Sequence, residues 1–141
     1  MIDSENETLS QYTLDMLQTI TDSLTDLDVE LILTCNDEIT KINAKFRQID
    51  APTDVLSFPN EPMPMAPLGS IIISDDYIKN VASELGHSEQ DEFTLLYIHG
   101  LLHLLGYDHE VDSGEMRKKE EMLIKKYTLP PSLIVRTQKE V

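Results

Sequence analysis

The sequence predicts an α+β fold, and three observations carry that expectation. Helical patterns outnumber strand patterns, of which three are clear. Their order interleaves strands and helices without a repeat. One helix, Phe93 to Leu105, is apolar on nearly every face apart from Thr94 and two histidines, so it belongs at the centre of the fold. The same helix carries the chemistry. His99-Gly-Leu-Leu-His103-Leu-Leu-Gly106-Tyr-Asp-His109 contains three of the four histidines. Residues four apart share a helix face, with Cβ atoms roughly 5–6 Å apart, so His99 and His103 can converge on one ion. Gly106 permits the left-handed turn that ends a helix, and His109 can return as a third ligand. Three protein ligands leave one tetrahedral position open for water, as in a catalytic zinc site.

The elements follow in order. Residues 7–25 read as an amphipathic helix through Leu9, Tyr12, Leu14, Leu17, Ile20 and Leu24. Val29–Cys35 is rich in strand formers and alternates, so it reads as a strand, with Cys35 a small buried hydrophobe at its end. Asn36 reads as the N-cap of a helix with Asp37 and Glu38 in its first turn. Ile39, Ile42 and Phe46 mark the apolar stripe of that helix, which runs to about Arg47. Pro52 precedes a strand over 54–58, and Pro59 with Asn60 stops it. The proline-rich stretch 61–67 is a loop in which Met63 and Met65 pack. Ile71–Ile73 is a short buried strand, and Ser74 caps the next helix, ahead of Asp75 and Asp76. Gly86 ends it. Ser88 and Asp91 form a capping box for the histidine helix, with His87 a loop or capping residue and not a ligand. Residues 113–127 form a charged helix with Met116, Leu123 and Ile124 inward. Pro130-Pro131 ends the ordered chain, and about 130–141 is expected to be a tail on a single domain spanning 1–141.

At 141 residues the chain is long enough for a real core without staples, and one cysteine allows no internal disulfide. No apolar run approaches the roughly 20 residues of a membrane span, so a cytoplasmic protein with no membrane partner is expected. The formal charge of −15 repels bulk RNA and favours basic protein partners. The sign reverses locally at Lys41, Lys45 and Arg47, and again at Arg117-Lys118-Lys119 with Lys125 and Lys126. The long zinc-peptidase motif, H-E-x-x-H-x-x-G-x-x-H, is matched at every ligand and at the glycine, but Gly100 stands where the general-base glutamate belongs. Ordinary proteolysis is therefore not expected.

The histidine block, His-Gly-x-x-His-Leu-x-Gly-Tyr-Asp-His, resembles the signature of the YbeY family of metal-dependent endoribonucleases. Asn43-Ala-Lys-Phe-Arg47 and Pro52-Thr-Asp-Val-Leu-Ser-Phe58 are similar to that family's N-x-x-x-R and P-T-D-V-L-S-F blocks. Leu68-Gly-Ser-Ile-Ile-Ile-Ser74 is similar to a third block, with Ser70 where the family usually has aspartate. The resemblance spans about residues 29–127. It implies a small, mostly parallel sheet packed with helices, and a central helix bearing the metal histidines His99, His103 and His109. The family usually opens with a strand. Met1–Asn6 offers almost no strand pattern, so the start is where this chain is expected to differ.

The resemblance further implies a single-strand-type endoribonuclease holding one Zn2+ per chain and acting in ribosomal RNA maturation and ribosome quality control. Ribosomal RNA and the small ribosomal subunit, with its basic proteins, would be the partners. Arg47 matches the family's functional arginine, and a guanidinium suits the negative transition state of phosphodiester cleavage. Asp108, beside a ligand in sequence, either orients a ring, caps the turn or serves as a base. Two other readings compete: a peptidase-like or other zinc hydrolase with a base from elsewhere, and a non-catalytic acidic ribosome-assembly factor.

Overall fold

In a computed structural model, the chain is described over residues 2–4, 11–61, 63, 66–108 and 111–130. The element order is β1 (Ile2–Ser4), α1 (Gln11–Leu24), β2 (Val29–Thr34), α2 (Asn36–Arg47), β3 (Val55–Pro59), β4 (Gly69–Ser74), α3 (Asp75–Leu85), α4 (Glu89–Leu104) and α5 (Glu115–Tyr127). The strands form one sheet in the order β1-β2-β4-β3. β1 and β4 both run parallel to β2, while β3 runs antiparallel to β4 at the edge. The class is α+β, and the sheet is mostly parallel.

Strand alternation divides the core between two faces. Val29, Leu31 and Leu33 of β2 and Ile71 and Ile73 of β4 meet Leu17 and Ile20 of α1 and Leu96, Tyr97 and Leu101 of α4. Ile32, Ile72, Leu56 and Phe58 turn to the other face, against Ile39 and Ile42 of α2. β4 is buried on both faces, as a central strand between two helical layers must be. Each fully buried Leu or Ile contributes about 1.5–3 kcal/mol of transfer free energy, so α4, buried almost all round, is a large part of the fold's stability.

Local signals hold where polar side chains meet helix ends. Ser74 caps α3 by accepting from the Tyr77 N–H, and Gly86 ends it at φ 73°. The Ser88 Oγ caps α4 by accepting from the Asp91 N–H at 3.0 Å. Four readings need correction. An N-terminal strand does form: Ile2, Asp3 and Ser4 pair with Val29, Glu30 and Leu31. Its stability comes from the β2 edge and not from its own weak propensity. Cys35 is exposed, because β2 stops at Thr34 and Cys35 has left the sheet to stand before α2. Asn36 is the first residue of α2 and not its cap. Its side-chain oxygen instead accepts from Ser74 Oγ at 2.7 Å, and its N–H donates to Asp76 at 2.9 Å. Phe46 does not complete the buried stripe of α2; it is 60% exposed. The expected tail beyond Pro130 lies outside the described residues, as does Met65, while Met63 is exposed.

Candidate active site

α4 opens to the surface at two points. From Glu92 to Leu104 every residue is buried except His99 and His103, which are half-buried. Their rings meet edge to face, with centroids 4.7 Å apart, and their Nε2 atoms face each other at 3.2 Å.

The outer nitrogens explain that orientation. His99 Nδ1 lies 2.8 Å from Oε2 of Glu120, a carboxylate buried on α5. His103 Nδ1 lies 3.0 Å from the backbone oxygen of Tyr107. A carbonyl oxygen only accepts, and so does a carboxylate, so each Nδ1 carries the proton and donates it. With both rings neutral, the two Nε2 atoms present lone pairs to each other. Two lone pairs at 3.2 Å repel unless a positive centre sits between them. Two ligands at about 2.0–2.1 Å on a tetrahedral ion stand roughly 3.3 Å apart. The donor chemistry and spacing therefore fit a zinc-type ion, and the carboxylate behind His99 is a common orienting partner of metal-binding imidazoles.

The Tyr107 acceptor depends on the turn. α4 ends at Leu104, Gly106 adopts φ 100°, and the Tyr107 N–H returns to Leu102 O at 3.0 Å. The backbone oxygen of Asp108 accepts from Val111 and Asp112. His109, the expected third ligand, lies outside the described residues. Among the described residues, no group of three His, Cys, Asp or Glu side chains is placed to hold a metal ion.

Gly100 has a structural reason. A Cβ there would meet Ile71 Cγ2 at 3.0 Å, Ser57 Oγ at 3.1 Å and Val55 Cγ2 at 3.3 Å. A side chain at this backbone separation would require its neighbours to give by a few tenths of an ångström, so glycine suits the close approach of helix and sheet. Ser57, from the P-T-D-V-L-S-F block, donates to the Gly100 carbonyl at 3.1 Å and ties β3 to α4 beside His99.

The remaining candidates separate. Arg47 is exposed at the last position of α2, on the opposite face of the sheet from α4. Phe46 beside it packs on Phe58, and Leu104 reaches Gly69; Pro59 and Phe58 pair with Gly69 and Ser70. The C-terminal ends of α2 and α4 thus share one end of the sheet, with edge strand β3 nearest. Ser70 donates to Glu30 at 2.9 Å across β2 and β4, on the α2 side of the sheet. An aspartate there would oppose Glu30, so serine suits this pair. His87 contacts buried Glu92 at 2.8 Å, apart from the other histidines in the α3–α4 turn. Glu120 was not foreseen. Its only sequence signal is an acid at the turn spacing of the inward residues Met116 and Leu123.

A helix buried from Glu92 to Leu104 except at two facing imidazoles, one of them backed by a buried carboxylate, defines the class of site. The family model described as Endoribonuclease YbeY matches residues 1–128. An "Endoribonuclease YbeY" of Nautilia profundicola is 58% identical over 138 residues, covering 98% of this chain and 99% of its own length. One of Aliarcobacter butzleri is 56% identical, covering 96% and 99%. A solution structure of a Thermotoga maritima protein superposes with a TM-score of 0.62 at 30% identity, covering 89% of this chain and 87% of that one. The chain belongs to the YbeY endoribonuclease family.

Proposed function

We propose that this chain is a zinc-dependent endoribonuclease of the single-strand type, acting in ribosomal RNA maturation and ribosome quality control. The observation that carries the metal reading is the approach of the two Nε2 atoms to 3.2 Å, with each Nδ1 facing an oxygen acceptor. His99, His103 and, from the sequence motif, His109 would hold one Zn2+. Glu120 and the Tyr107 carbonyl keep the two imidazoles aimed. When bound, the ion supplies Lewis-acid stabilisation to a phosphoryl oxygen. Arg47 neutralises charge on the RNA backbone, reaching it from the end of α2 around the β3 edge. A peptidase reading is disfavoured because Gly100 stands where the general-base glutamate of the zinc-peptidase motif belongs.

Among the described residues, no helix is long and apolar enough to cross a membrane. We place the protein in the cytoplasm, on the small ribosomal subunit, where its acidic surface meets basic ribosomal proteins.

The test compares His103→Ala, His87→Ala and Arg47→Ala for zinc content and for cleavage of single-stranded RNA, with casein alongside. His103→Ala should lose most of the metal and the cleavage, whereas His87→Ala should retain both. Arg47→Ala should keep the metal and lose about 10²-fold in rate, as expected for removal of one transition-state contact. Equal metal loss in both histidine variants, or casein cleavage in place of RNA cleavage, would overturn the assignment.

A further inference from the structure

We propose that the exposed end of α2 is a base-stacking subsite for single-stranded RNA, in which Phe46 receives an unstacked base and Lys45 takes the neighbouring phosphate. The proposal rests on the endoribonuclease reading for the polymer and adds where a base is held.

Packing on Phe58 uses only part of the Phe46 side chain. Ile39 and Ile42 already cover the sheet, and Phe46 is a 60% exposed residue whose ring meets the half-buried Phe58 ring with centroids 5.2 Å apart at 61°. An edge-to-face contact fixes the ring while leaving much of it open. The charge around it is locally basic, as it is also at Arg117–Lys119 on α5. In a chain of net charge −15, residues 39–49 contain Lys41, Lys45 and Arg47 and no acid. Lys45 Nζ lies 5.2 Å from the Phe46 ring centroid, on a flexible stem that can move to a phosphate. An exposed aromatic flanked by cations is the chemistry that holds single strands: the ring takes a base face, and the cations take the backbone.

The presenting segment is built and not frayed. Gln48 takes φ 60°, and its N–H returns to Ala44 O. The Ile49 N–H reaches Asn43 O, and the buried Asn43 side chain donates to Ala51 O at 2.9 Å. Asn43, the first residue of the N-x-x-x-R block, therefore locks the reversal beyond α2 and sets the direction of Phe46 and Arg47. The subsite lies at the end of the sheet that the C-terminus of α4 also reaches. A strand held on Phe46 can cross the β3 edge toward His103.

The chain contains no tryptophan, so Phe46→Trp supplies a sole indole reporter that can still stack. The probe is a short 2′-O-methyl oligoadenylate, with an abasic oligomer and a duplex of the same length as controls. Quenching of the indole emission in Phe46→Trp should saturate with the oligoadenylate and be absent with the abasic oligomer and the duplex. Phe46→Ala should bind the oligoadenylate about tenfold more weakly or worse, with its salt dependence unchanged. Lys45→Ala should lower the slope of log K against log salt by roughly 0.7. Unmoved emission while anisotropy reports binding, equal quenching by the abasic oligomer, or parental affinity in Phe46→Ala would each overturn the subsite. A response to basic ribosomal proteins but not to RNA would mark a protein-docking patch and also overturn it. Failure of the parental chain to bind any oligonucleotide by anisotropy would overturn the RNA reading itself, which separates the two failures.

Discussion

Gly100→Ala sets two effects against each other in one residue. In a helix interior, alanine is favoured over glycine by about 1 kcal/mol. Here the new methyl meets Ile71, Ser57 and Val55 at 3.0–3.3 Å, closer than ordinary carbon contacts. The three neighbours belong to two hydrogen-bonded strands, so no single rotamer change relieves them. The helix must lift from the sheet by a few tenths of an ångström, and overpacking of this kind costs about 1–3 kcal/mol. The net expectation is a loss of up to about 2 kcal/mol, lowering Tm by as much as roughly 8 °C in a chain of this size. Thermal and urea unfolding measure it. Combining Gly100→Ala with Ser57→Ala removes one of the crowding atoms along with its hydrogen bond to the Gly100 carbonyl. The double variant should therefore be more stable than the sum of the two single losses, by about 0.5–1 kcal/mol. Gly100→Ala more stable than the parent, or strict additivity in the cycle, would show that helix and sheet are not in the close contact described. Gly100→Glu, which restores the peptidase pattern, should unfold the domain and not confer casein cleavage.

Three further outcomes are expected. Glu120→Gln keeps the shape but removes the charge that receives the His99 Nδ1 proton, so zinc affinity by competitive chelation should fall about 10–100-fold with cooperative unfolding retained; unchanged affinity would remove Glu120 from the site. Thr128 ends α5 at φ 55°, a region that costs an L-residue roughly 1–2 kcal/mol, so Thr128→Gly should stabilise by about 0.5–1 kcal/mol after glycine's entropy is subtracted; a lower urea midpoint would contradict this. Burial of Tyr97 raises its phenol well above the usual 10, more than the Thr21 hydrogen bond lowers it. The group is neutral in both states below pH 10, so its contribution is full there and is lost as pH rises past 10 and the unfolded chain ionises first. Absorbance titration should show at least one of the five tyrosines ionising only with unfolding; complete ionisation of a still-folded chain would refute it.

What the sequence made legible, and what it hid, divides by range of interaction. α4, its Ser88 cap and the Gly106 turn were readable because apolar periodicity, capping and left-handed glycine are set by neighbours a few residues away. The pairing of His99 with His103 follows from helix spacing alone. β1 was hidden because three residues of weak propensity become a strand only against β2. Cys35 and Phe46 were misjudged because pattern extends a stripe beyond the point where the sheet stops covering it. Glu120 was hidden for the same kind of reason: its meaning lies 21 residues away, in His99. Thr21 likewise sits in an apolar stripe because Tyr97, on another helix, shares its hydroxyl at 2.6 Å.

The Glu120–His99 contact also orders events in time. The sheet is complete once Ser74 has been made, yet Leu31, Leu33, Ile71 and Ile73 wait for α4 to cover them. The carboxylate that aims His99 arrives later still, on α5. A nascent chain halted between the two helices would carry both imidazoles and no buried acid behind them. A polypeptide ended there would be a partly sealed core with an unaimed histidine, because the two halves of this contact lie on separate helices.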